Sequence, residues 1–151
     1  MNNEYNARGN FFRRLWSTLF LLLAWYLPHS KLRVFFHKMR GVNIGKNVEI
    51  GYFVIIGNVN PSQIHIRDNA TITARCTILE HDNSGYYTGR GNVRVGEVII
   101  ENNAFIGIGS VILPGVTIGR GSIVGALSLV NRDIPPNSVY AGSPAKKINK
   151  T

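Results

Sequence analysis

Cysteine is almost absent: Cys76 stands alone among 151 residues, so the chain holds no internal disulfide and suits a reducing compartment. Acidic residues are scarce, eight against 17 Lys and Arg, which leaves a formal charge of +9. That balance points to an anionic partner, either a nucleic acid, an acidic membrane surface or an anionic small molecule. No nucleic-acid motif is present, and no basic stripe alternates with stacking aromatics, so nucleic acid is set aside. The apolar run from Leu15 to Leu27 is shorter than the roughly 20 residues of a spanning helix. Pro28-His29-Ser30 lacks the small-x-small pattern of a cleaved signal peptide.

What the chain does have is a step of six. Ile100, Ile106, Ile112, Ile118, Val124 and Val130 are all aliphatic and branched at Cβ. Six fits neither the helical period nor a plain strand, so it marks an internal repeat. Something small lies four positions after each marker, at Ala104, Ser110, Val116, Ser122 and Ser128, and glycine follows at Gly107, Gly119 and Gly125. A β-helix needs this pattern. The aliphatic fills the bore, the small residue fits inside a corner, and glycine or asparagine takes turn angles that β-branched residues resist. Ile44, Ile50 and Ile56 form an earlier triplet, and Ile66, Ile72 and Ile78 a second. Three sides make a triangular coil, so about four coils are expected, with loops ejected at residues 60–63 and 81–97. Each buried Ile or Val contributes roughly 1.5–3 kcal/mol. A bore this narrow leaves much of the stability to stacking and to contacts between copies.

Ahead of the repeat, residues 1–10 read as a frayed start. Residues 11–27 read as a helix with a stripe of Phe12, Leu15, Trp16, Leu19, Phe20 and Leu23, and Arg13, Arg14, Ser17 and Thr18 opposite. Pro28 ends it, and Ser30 is placed to cap a second helix carrying Leu32, Phe35, Phe36 and Met39, which closes at Arg40-Gly41. Residues 1–40 hold seven Lys or Arg against one Glu. Two readings stand for this pair. It caps the open end of the β-helix, or it is an interfacial anchor using Trp16, Trp25, Tyr26 and the basic residues on an anionic bilayer. At the other end Pro135-Pro136 supply no ladder donors, so the chain is expected to leave the coil there, with residues 138–148 running back along an outer face. The organisation is then a helical segment 1–41, a β-helix 42–134 and a tail 135–151.

The segment "AFIGIGSVILPGVTIGRGSIVGALSLVNRDIPPNSVYAGSPAKKI" resembles the hexapeptide-repeat acyltransferases, most of all their maltose, galactoside and polysaccharide O-acetyltransferase branch. The resemblance covers residues 44–148. It implies an all-β, left-handed parallel β-helix; spacing alone is silent on the hand, and ordinary crossover rules favour the right. It also implies acetyl-CoA as co-substrate, no metal, and a homotrimer with sites between subunits. Zinc-binding relatives use three histidines, whereas residues 41–151 hold only His65 and His81. His65, between Ile64 and Ile66, points out of the coil and carries little catalytic weight.

By the same resemblance His81, opening the long loop, is the general base that takes the proton of an acceptor hydroxyl. Glu80 and Asp82 either orient it, bind the acceptor or do nothing, and Tyr86, Tyr87 and Arg90 belong to the acceptor loop. Gly107-Ile108 lies near the thioester and offers a backbone N–H to the oxyanion. Phe105 stands where relatives carry Trp, and Ile108 where they carry Ser or Ala. Ala126 makes room for the pantetheine arm, Asn131-Arg132 replaces Thr-Lys further along the coenzyme, and Lys146 and Lys147 reach its phosphates. The expected activity is acetyl transfer to a sugar hydroxyl of a cell-surface polysaccharide or its precursor, in the cytoplasm or at the inner membrane face. Acetylation of xenobiotics or amino sugars at nitrogen is the alternative enzyme reading. An inactive β-helix scaffold is the alternative of another class.

Overall fold

Each marker sits in a strand of two or three residues, and the strands stack on three faces. The computed structural model describes residues 11–148. One face stacks Asn43–Ile44, Ile64–Ile66, Val98–Ile100 and Thr117–Ile118 in parallel. The second stacks Glu49–Ile50, Thr71–Ile72, Phe105–Ile106, Ile123–Val124 and Val139–Ala141. The third stacks Ile55–Ile56, Thr77–Ile78, Val111–Ile112 and Leu129–Val130. Markers pair with markers, Ile50 with Ile72 and Ile78 with Ile112. A slip of one residue would turn every marker to solvent. Ile56, Ile72, Ile78, Ile100, Ile106, Ile112 and Ile118 are fully buried in the bore.

The small residues fill the corners as expected. Ala70, Cys76, Ala104, Ser110 and Ser122 are buried. The hydroxyls are satisfied there: Ser110 Oγ donates to the Gly125 carbonyl at 2.9 Å and Ser122 Oγ to that of Pro135 at 2.7 Å. Burial pushes the Cys76 thiol up, consistent with an inert packing role. Asn47, Asn69, Asn103 and Asn137 form one column at φ 53–60°, the left-handed region that asparagine tolerates. The glycines after the markers answer a different need. Neither Gly107 nor Gly119 is left-handed. A Cβ on Gly107 would lie 2.5 Å from the Ala126 nitrogen, and one on Gly119 2.5 Å from that of Pro136. They let one coil lie directly on the next.

The first interruption is the short turn Pro61–Gln63. The second leaves the third face after Ile78. It forms an antiparallel hairpin of His81–Asp82 with Arg94–Val95 around a helical turn at Ser84–Tyr87, and rejoins at Val98–Ile100. The two prolines do not end the coil. Ile134 N–H still bonds the Thr117 carbonyl, and Val139–Ala141 adds a parallel strand beside Ile123–Val124. Pro135 and Pro136 fall at a corner, where no ladder donor is required. The chain then reverses, and Lys146–Lys147 pairs antiparallel with Tyr140 and Ala141.

The helices α1, Phe11–Tyr26, and α2, Ser30–Met39, close the other end. The first coil has a free strand edge, and the helices supply its partners. Arg33 Nε donates to the Ile50 carbonyl at 2.7 Å, Arg40 Nη2 to that of Ile56 at 2.8 Å, and Trp25 Nε1 to that of Val54 at 2.9 Å. Ser30 does not cap α2; its Oγ accepts the Ile50 N–H at 3.0 Å instead. The pair is therefore a cap, but with its faces reversed from the usual packing of amphipathic helices. Arg33, His37 and Arg40 are buried, while Leu32, Phe35 and Met39 face outward. The stripe of α1 is also largely outside, with Leu15, Trp16 and Leu19 exposed. The frayed start expected for residues 1–10 and the side chains of Phe12, Arg13 and Arg14 lie outside the described residues.

Candidate active site

At the corner where the long loop departs, two adjacent residues part ways. Glu80 turns inward and is fully buried, while His81 remains partly open. Glu80 Oε1 accepts the N–H groups of Val59 at 3.0 Å and Asn60 at 2.8 Å, and lies 3.3 Å from His81 Nδ1. Room for this carboxylate exists because residue 57 is glycine. A Cβ there would collide with the Glu80 carboxylate. Beyond Gly57 stands Arg40, whose Nη2 bonds the Ile56 carbonyl. Burial lowers the Arg40 guanidinium to about 10, and the Glu80 carboxylate opposes that fall. The imidazole thus rests on a buried carboxylate that is backed by a buried cation from the cap.

Asp82 points the other way. Its Oδ1 accepts the Ser84 N–H at 2.8 Å and holds the start of the helical turn. That bond keeps its carboxyl below the usual range. Of the two carboxylates left open by the sequence, Glu80 is the one against His81. Tyr86 and Tyr87 are exposed on the loop, their rings 5.5 Å apart and edge-on, and Arg90 is exposed near them. His65 is outside the site, its Nε2 2.7 Å from Glu97 Oε1 on the first face. No three His, Cys, Asp or Glu side chains converge among the described residues.

The proposed coenzyme residues fall at other places. Gly107 and Ala126 stack directly at the corner between the second and third faces. Ile108 is half exposed there. The Gly107 N–H is spent on the Val124 carbonyl at 2.8 Å, whereas the Ile108 N–H has no acceptor among the described residues. Asn131-Arg132 lies on His81's own corner, two coils further along, as the pairing of Ile78 with Ile112 and of Ile112 with Val130 requires. Lys146 and Lys147 are exposed at the far end of the second face. One protomer therefore does not bring His81 to Gly107, Ile108 and Ala126. A whole side of the triangle separates them, up to roughly 20 Å of chain at about 3.3 Å per residue.

Gly57, His37 and Arg40 were not singled out from the sequence. A signal existed: Arg33, His37 and Arg40 follow i, i+4, i+7, a polar stripe opposite the apolar one.

Comparison with known proteins agrees with this geometry. Residues 97–132 match the family model "Bacterial transferase hexapeptide (six repeats)". The chain is 35% identical to the galactoside O-acetyltransferase of Escherichia coli K12 over 129 residues, 84% of this chain and 61% of that protein. A hexapeptide-repeat acetyltransferase of Vibrio cholerae, solved with acetyl-CoA, superposes with a TM-score of 0.70 at 22% identity, covering 91% of this chain and 86% of the other. Galactoside acetyltransferase in complex with coenzyme A gives 0.64 at 26% identity, with 92% and 80% covered. The chain spans between 25% and 61% of the length of these curated relatives. Likeness to the solved structures shows the fold to be a left-handed parallel β-helix. The chain is similar to the hexapeptide-repeat acyltransferases, the maltose and galactoside O-acetyltransferases among them.

Proposed function

We propose that this chain is an acetyl-CoA-dependent O-acetyltransferase that acts on a sugar hydroxyl with His81 as general base. The observation that carries the reading is the Glu80 carboxylate beneath His81 Nδ1. The Glu80 carboxylate 3.3 Å away favours a proton on Nδ1, which leaves Nε2 as the basic nitrogen. Nε2 takes the acceptor's hydroxyl proton as the oxygen attacks the thioester carbon. The tetrahedral oxyanion is met by the Ile108 N–H, and collapse breaks the C–S bond. His81 returns the proton to the departing thiolate, so nothing is left over.

Because His81 and Ile108 sit on different corners, the Ile108 that serves a given His81 belongs to another copy. This supports a homotrimer with the sites between subunits. Gly107 and Ala126, both without side-chain bulk, would floor the coenzyme arm, with Asn131, Arg132, Lys146 and Lys147 as its polar contacts. The exposed Tyr86 and Tyr87 offer ring faces to a pyranose, and Arg90 a donor to its hydroxyls. Relatives named for galactoside and maltose support a sugar acceptor, and a surface polysaccharide or its precursor is the form proposed. The location proposed with this reading is the cytoplasm or the inner face of the membrane.

The test is free-thiol release from acetyl-CoA over a panel of sugars. Wild-type protein turns over at least one, and His81→Ala loses roughly 10²–10⁴-fold while coenzyme binding persists. Equal rates in the variant would remove His81 from the chemistry. A wild-type chain that neither turns over nor binds coenzyme would be a scaffold.

A further inference from the structure

The polar groups of α2 are committed to the edge of the first coil, so the helical pair cannot roll over to bury its apolar face. On α1, Leu15, Leu19, Leu22 and Tyr26 follow i, i+4, i+7, i+11 and are each 44% exposed or more. On α2, Leu32, Phe35 and Met39 follow i, i+3, i+7 and are each 42% exposed or more. Each of two adjacent helices thus leaves an apolar stripe exposed. Scattered exposed apolar residues need no explanation; a stripe along each of two neighbouring helices does.

We infer that this surface docks the protein on an anionic lipid bilayer, with both helices lying in the headgroup plane. Charge favours that occupant. Lys31 and Lys38 are exposed beside the α2 stripe, and neither helix contains an acidic residue. A second copy would bring the same cations against each other, whereas acidic headgroups neutralise them. The aromatic placement also fits. Trp16 and Tyr26 are both exposed on α1, and such rings favour the interface. The helix lies on the bilayer and does not cross it. At 16 residues α1 is about 24 Å long, and no helix among the described residues is long and apolar enough to span. This inference stands apart from the acetyltransferase reading, since it uses none of the site residues.

The experiment is co-sedimentation of the full chain with vesicles of phosphatidylcholine containing one quarter phosphatidylglycerol, against phosphatidylcholine alone. Binding to the anionic vesicles is expected to be at least tenfold stronger and to weaken in high salt. Leu19→Glu with Phe35→Glu should lower it at least tenfold, with the thermal midpoint and the oligomeric state by light scattering unchanged. Lys31→Glu with Lys38→Glu should lower it several-fold, in line with about 1 kcal/mol per cation at such a surface. A wild-type chain that stays in the supernatant with anionic vesicles overturns the inference. So does a Leu19/Phe35 variant that binds as wild type, or one that changes the oligomer, which would make the face a contact between copies. Should that variant fail to fold, quenching of wild-type indole fluorescence by brominated acyl chains reads the same contact. Strong quenching supports the inference, and none overturns it.

Discussion

Acidification should loosen the cap before it touches the coils, through His37. This side chain is fully buried, and its Nδ1 accepts from Arg40 Nη1 at 3.0 Å. Burial first, then the Arg40 and Arg33 cations, lower its pKa from 6.5 to about 3. The folded chain therefore keeps His37 neutral where the unfolded chain protonates it. The stability tied to this is whole above pH 6.5 and is lost as pH falls toward 3. From pH 7.5 to pH 5 the loss comes to about 2 kcal/mol. At about 2–4 °C per kcal/mol for a chain of this size, the midpoint should fall by about 4–8 °C. The assay is thermal or denaturant unfolding at fixed protein concentration across that range, wild type against His37→Asn. The asparagine oxygen can take the place of Nδ1 and does not titrate. The variant starts less stable because it leaves a cavity, but its stability should change with pH by about 2 kcal/mol less. Parallel pH dependence in the two proteins would refute the reasoning, because it would assign the acid loss to other groups.

Two further outcomes follow from the site and the stack. Glu80→Gln keeps the volume and an acceptor for the Val59 and Asn60 N–H groups, but removes the charge that steadies an imidazolium. With charged hydrogen bonds worth about 1.5–3 kcal/mol, kcat should fall roughly 10–100-fold while KM for acetyl-CoA moves less than about threefold. A kcat within about threefold of wild type would leave Glu80 a purely structural carboxylate. Gly107→Ala should destabilise by about 1–3 kcal/mol or more in denaturant titrations, because its Cβ meets only backbone of the next coil. Gly91→Ala is the control: nothing lies within 4 Å of its added Cβ, and a change within about 0.5 kcal/mol is expected.

Much of this molecule is local in origin and could be read from the chain. A bore so narrow admits one large aliphatic per side, so the six-residue step had to appear in the sequence, and with it the three faces and the two places where the chain departs. The C-terminal ends of both helices followed from Pro28 and Gly41 for the same reason, since a ring without an N–H and a residue without a Cβ act where they stand. The two prolines at 135 and 136 misled because their effect depends on position: at a corner the missing donors are not missed.

What tertiary structure alone decided is which way each polar group turns. The amphipathic pattern of α2 says that it has two faces, not which one goes inside. The unpaired carbonyls of Ile50 and Ile56 demanded donors, and Arg33 and Arg40 met them, which sent the apolar stripe outward. Glu80 and Asp82 flank His81 symmetrically in sequence. Only the space left by Gly57, brought beneath Glu80 by the stacking of one coil on another, draws one carboxylate in and leaves the other to the loop. Period is a property of neighbours along the chain; the choice of partner belongs to neighbours across it.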